Sequence, residues 1–173
     1  MITSERIFVI VGALVMVLLQ LFVAPYIAVA GIAPNFLLAY AIAIAIVRTS
    51  SAGCLLPFLL GLFFDFVGGG PVGAMALVLM AVSALSARCF QLVDNDSLFM
   101  AIAMVAFGVL LSEAAYGFIL LGFGFQASLP DVLIMRVFPC ALYDFIVSLI
   151  LFLLVRRRAR PSVATRVELT QLR

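Results

Sequence analysis

The sequence contains no lysine, no histidine and no tryptophan, and charged residues make up only 10% of its 173 positions. Without lysine there is no P-loop cation and no Schiff base. Without histidine there is no imidazole base and no histidine metal site. ATP hydrolysis by this chain is therefore not expected, nor is a bound metal, a cofactor or a nucleic-acid partner. The three cysteines, Cys54, Cys89 and Cys140, stand singly and far apart, in or beside apolar runs. That spacing offers neither a ligand set nor a disulfide framework, and it reads as packed thiols.

What is present is apolar surface. Hydrophobic residues are 67% of the chain and its mean hydropathy is +1.36. Globular proteins run nearer half apolar and a quarter charged, so the excess has to face hydrocarbon. The chain reads as an integral membrane protein. Spanning helices take roughly 20 residues each, which leaves room for about six and short connections. Pro, Gly and charge mark off six apolar runs: Ile7 to Ala24, Ile32 to Val47, Cys54 to Val67, Val72 to Ala87, Leu98 to Leu121 and Val132 to Val155. Continuous runs mean helices, because the short alternating segments of a membrane barrel are missing and lipid leaves no third solution. Several runs are short, so their ends are expected to extend into flanking small residues such as Ala28 to Gly31 or Ser51 to Gly53. Ala28-Val29-Ala30 resembles a signal-peptidase site. The preceding run is long for a signal segment and lacks a basic cluster, so a retained first helix is expected.

Arginines set the orientation. With the N-terminus cytoplasmic, Arg6, Arg48, Arg88 and the tail arginines Arg156, Arg157, Arg158, Arg160, Arg166 and Arg173 all lie inside, nine of the ten basic residues. The opposite connections, Pro25 to Pro34, Gly68 to Pro71 and Gly122 to Pro130, hold none. The expectation is one transmembrane domain over residues 1–155, both termini cytoplasmic, followed by a basic tail over 156–173. The tail cluster would hold anionic lipid at about 1 kcal/mol per arginine.

Four ionisable residues fall within the expected helices: Asp65, Glu113, Arg136 and Asp144. A charge in hydrocarbon costs ~2.5 to 3.5 kcal/mol, so each should face the bundle interior, pair, or reach an interface. Asp65 precedes the turn Gly68-Gly69-Gly70-Pro71-Val72-Gly73, where glycine permits positive φ and Pro71 can start the next helix. Its carboxylate either bonds amides in that turn or engages an arginine. Arg136 either snorkels outward or pairs with Glu113 or Asp65. Asp144 lies deeper, and its partner cannot be named from sequence. Ala39 and Ala43 share one face of the second helix, Ala41 and Ala45 nearly the opposite one. Both faces are thin enough for close packing, chiefly within the chain. Pro34 and Asn35 mark that helix's start, whereas Pro57 and Pro139 lie inside helices and should kink or break them. Asp94-Asn95-Asp96 reads as a solvated turn and helix cap.

Pro34-Asn35-Phe36-Leu37-Leu38, then Gly61-Leu62-Phe63-Phe64-Asp65, the Gly/Pro turn and Gly73, resemble the MreD family of bacterial rod shape-determining membrane proteins. The specific part of this resemblance is residues 34–73. It implies a non-enzymatic component of the elongasome in the cytoplasmic membrane, acting with MreC, MreB, RodA and a class B penicillin-binding protein in lateral peptidoglycan synthesis and cell shape. It also implies a compact all-α bundle, a fold expected to be shared with the substrate-binding subunits of energy-coupling-factor vitamin transporters. Pro34, Asn35, Gly61, Asp65, Pro71 and Gly73 would be the family positions, shaping a periplasmic surface or pocket for MreC. The alternative function is such a transporter subunit itself. Against it, the outer connections carry few polar groups to grip a vitamin. A lipid enzyme would need clustered Asp or His motifs that are missing.

Overall fold

The computed structural model describes residues 2–29, 31–47, 53–92, 98–124 and 128–159. These residues form an all-α bundle: α1 (Ile2–Phe22), α2 (Phe36–Val47), α3 (Leu55–Gly68), α4 (Ala74–Leu92), α5 (Leu98–Gly122) and a sixth rod. The rod begins as the single turn α6 (Leu129–Asp131), widens into a π-helical stretch (Val132–Val137) and continues as α7 (Phe138–Ala159). No strand forms among the described residues; Val29 and Ile32 merely exchange two backbone hydrogen bonds in a tight turn. Arg48, Asp94 to Asp96, Arg160, Arg166, Arg173, Ala30 and residues 51 and 52 lie outside the described residues.

Three stretches, Ala74–Gln91, Leu98–Gly122 and Val132–Arg158, are long and apolar enough to cross a membrane. The apolar stretches of the other helices, Arg6–Phe22, Phe36–Val47 and Leu55–Gly68, are shorter, and α2 is the extreme case. Twelve residues rise about 18 Å, well short of a ~30 Å hydrocarbon core. The expected extension of its run into Ala28 to Gly31 does not occur. Pro34 disfavours helical backbone in the residue before it, and Asn35 caps the helix start by accepting the Leu38 N–H at Oδ1, 3.0 Å. Pro34 thus sits just before the helix and not in its first turn. Nor does α2 need to span. Every residue from Leu37 to Ile46 is buried, wrapped by α1, α3, α4, α5 and α7, so both thin alanine faces are used inside the chain.

The prolines behave differently from one another. Pro57 is the third residue of α3, where its missing N–H was never going to be bonded, so no kink is required there. Pro139 lies two residues beyond the end of the π-helical stretch, at Val137, and the widened turn before it relieves the clash its ring would make with the preceding helical carbonyl. Pro71 stays in the turn before α4, its carbonyl accepting from Ala74 N, 3.1 Å, and does not begin the helix. The last helix runs a turn beyond Val155, so Arg156, Arg157 and Arg158 form its final turn, where cations suit the helix dipole. The Arg156 guanidinium lies 5.9 Å from the centroid of the Phe152 ring.

The outer faces carry exposed Ile7, Ile10, Leu14, Phe107, Phe118 and Ile150 among many others, the coat expected of a bundle solvated by lipid. Because lipid is as apolar as the core, close packing and internal polar bonds hold the helices together. Tyr40 shows both. Its ring fills the space beside Gly12 that a Cβ would need, and its hydroxyl donates to the Val9 carbonyl, 2.9 Å, tying α2 to α1. Tyr40→Phe removes that bond while keeping the ring, and should lower stability by about 1 kcal/mol. Thermal melting of the detergent-purified protein reads this, with no change expected in helix content.

Candidate functional site: a polar cavity at one end of the bundle

Six helix termini converge where α1, α3 and α5 finish and where α2, α4 and the sixth rod begin. The N-terminus of α2 needs acceptors for its free amides, and neighbouring helices supply them. Gln20 near the end of α1 accepts the Phe36 N–H at Oε1, 2.8 Å, and donates from Nε2 to the Pro34 carbonyl, 3.3 Å. Asp144 from α7 accepts the Asn35 N–H at Oδ1, 2.7 Å. This backbone amide is the partner of Asp144 that sequence could not name. All three side chains are buried, so the short central helix starts inside the bundle with its polar groups satisfied by side chains from α1 and α7.

The start of α4 is capped in another way. Its N-cap position is Gly73, with φ +94° and no side chain to offer. Asp65 of α3 supplies the missing acceptor: its carboxylate takes the N–H of Gly73 at 2.9 Å, of Met75 at 3.1 Å and of Ala76 at 3.3 Å. A negative group here also suits the helix dipole. Asp65 is thus committed to backbone, and pairing with Arg136 is not what the structure forms. Gly61, one turn earlier in α3, makes the approach of α3 to α4 close enough for this. A Cβ at Gly61 would lie 2.6 Å from the Ala76 Cα and the Met75 carbonyl oxygen. The turn between them leaves Phe66, Val67, Gly68, Gly69 and Val72 exposed as a fixed apolar corner.

Between this corner and the α2 start lies a cavity of about 650 Å³. It is lined by Gln20, Asn35, Glu113, Tyr116, Arg136 and Asp144, with glycines 68–70 at its rim. Glu113 of α5 and Asp144 of α7 both line it, close enough for each to act on the other electrostatically. Arg136 rises from the π-helical stretch and places its guanidinium 5.1 Å from the centroid of the Tyr116 ring. Tyr116 in turn meets Phe64 of the corner edge-on, ring centroids 6.1 Å apart. Both carboxyl groups lie within electrostatic reach of Arg136, yet its buried Nε finds no acceptor among the described residues.

Of the residues singled out in the sequence, Asn35, Glu113, Arg136 and Asp144 come together in the cavity. Gly61, Asp65, Pro71 and Gly73 build the corner beside it. Arg156, Arg157 and Arg158 lie at the opposite end of the last helix. The cysteines are not uniformly packed: Cys54 is exposed at the start of α3, and Cys140 lines the cavity, half-buried. Sequence reading missed Gln20 and Tyr116. Gln20 left a trace, a lone amide near the end of an apolar helix, whereas nothing local distinguishes Tyr116. It also missed Tyr143, whose hydroxyl donates to the Ile27 carbonyl, 2.7 Å, and fixes the α1–α2 connection over the cavity.

A family model for the rod shape-determining protein MreD matches residues 2–160. The chain belongs to the MreD family. The MreD match takes in all six rods, the corner and the cavity, so it concerns the whole bundle and not residues 34–73 alone. Searches among curated proteins and among solved structures return no match. As an MreD-family member the chain is a membrane protein with a role in determining rod shape. The transporter-subunit alternative gives way to this assignment.

Proposed function

We propose that the protein is a non-catalytic component of the elongasome in the cytoplasmic membrane of a bacterium, and that it organises lateral peptidoglycan synthesis by binding MreC. MreB, RodA and a class B penicillin-binding protein act in the same assembly. The bundle is the single domain of residues 1–155 with both termini cytoplasmic, an orientation supported by nine of ten arginines falling on one side. The basic tail, residues 156–173, then meets anionic lipid, and the Asn35 end faces the periplasm.

The observation that carries the reading is the corner between α3 and α4. The most buried acid of this region, Asp65, is committed to holding backbone, and the result is a rigid apolar projection at the mouth of the bundle. A preorganised apolar knob loses little entropy on docking a partner segment. Val72 is 65% exposed there and makes a clean probe. Val72→Glu should reduce co-purification of MreC roughly tenfold and convert rods to rounded cells, with protein level and melting unchanged. Undiminished recovery of MreC from a normally folded Val72→Glu protein would overturn the reading.

A further inference from the structure

The cavity contains chemistry that a docking corner does not require. Asn35 is 3% exposed and lines the cavity. Its amide orientation is fixed, because Oδ1 must accept the Leu38 N–H. Nδ2 is therefore left as a buried donor with no acceptor among the described residues. The Nε of Arg136 is a second such donor, on a guanidinium already held over Tyr116. A buried donor without an acceptor costs about 1 to 3 kcal/mol, more when charged, and both donors belong to residues that line one cavity, so an acceptor entering it would relieve them. The same cavity is lined by the opposite chemistry, the buried carboxyl groups of Glu113 and Asp144.

A simple anion would satisfy the donors and be repelled by the acids. A simple cation would do the reverse. One ligand answers both: a headgroup that carries a negative and a positive charge a few bonds apart. Around these polar groups the walls are apolar, with Phe64, Val67, Leu120 and Met135, and the cavity lies at the end of a lipid-solvated bundle. Its volume falls within the usual range for small-molecule sites, about 300 to 1,000 Å³.

We infer that this cavity binds a zwitterionic headgroup, a primary ammonium carried on a phosphodiester, with phosphate oxygens on Arg136 and Asn35 and the ammonium against Glu113 and Asp144. The ligand source favoured by the apolar walls is a membrane phospholipid with an ethanolamine headgroup. The assignment stands whether or not MreC docks at the neighbouring corner.

Native mass spectrometry of the full-length protein in detergent, offered phosphatidylethanolamine, phosphatidylcholine and phosphatidylglycerol of identical acyl chains, tests it. The ethanolamine lipid should be retained at least about fivefold better than either of the others, since choline's methylated nitrogen cannot donate and glycerol has no cation. This comparison uses the unaltered protein and needs no variant to fold. Glu113→Gln should erase the preference for ethanolamine over glycerol while leaving some binding, and Arg136→Gln should weaken all phosphate-bearing lipids. Gly122→Ala, which does not line the cavity and has open space around it, should change neither. Displacement of the lipid by glycerophosphoethanolamine at comparable concentration would uphold the headgroup site and remove the acyl chains from it. Equal retention of the three lipids, a preference for phosphatidylglycerol, no retention of any, or displacement only by a partner peptide would each overturn the inference.

Discussion

Gly61→Val is expected to destabilise the bundle by about 3 kcal/mol or more, the cost of overpacking when the obstructed atoms cannot yield. What a side chain at this position meets is the Ala76 Cα, the Met75 carbonyl oxygen and the Ala76 nitrogen, all 2.6 to 2.7 Å from the added Cβ. These are backbone atoms of a helix, not the flexible end of a side chain. The two helices must therefore separate, and separation carries Asp65 away from the amides it caps. For a domain of this size the melting temperature should fall by roughly 10 °C, with reduced accumulation in membranes. Gly122→Ala is the matched control: it lies at the last position of α5 with open space around it, and should be neutral or slightly stabilising. Equal melting of the two variants would remove the close α3–α4 approach from the account.

Asp65→Ala should cost about 3 kcal/mol, because three amides at the start of α4 lose one shared acceptor in a region that water reaches poorly. The series is more informative than any single change. Asp65→Asn keeps one oxygen and should recover roughly half of the loss. Asp65→Arg should be worse than alanine, since it sets a cation against the positive end of a helix. Melting of the three purified variants in that order, asparagine above alanine above arginine, checks the capping role. Rod shape and MreC recovery should fall in the same order, as the corner loses its fixed geometry. If alanine and arginine both left stability, shape and MreC recovery unchanged at normal protein levels, Asp65 would have neither a structural nor a partner-holding role.

Composition and run length were sufficient to read a helical membrane bundle, because the excess of apolar side chains has only one solvent that accepts it. The corner was legible as well: a carboxylate three residues before a run of three glycines and a proline is a local pattern, and the amides that donate to it lie within 11 residues of Asp65. Tertiary structure decided the rest. Asp144 meets Asn35 across 109 residues of chain, and no local spacing encodes that meeting. The alternation in α2 marked two thin faces but not that the helix is enclosed on every side. Enclosure depends on the five helices around it and lets twelve residues suffice where a lipid-facing span could not. Likewise Glu113 and Arg136 were recognisable as costly charges. Only the packing of α5 against the sixth rod, whose π-helical stretch positions Arg136, determines that they share one cavity and do not form two separate pairs.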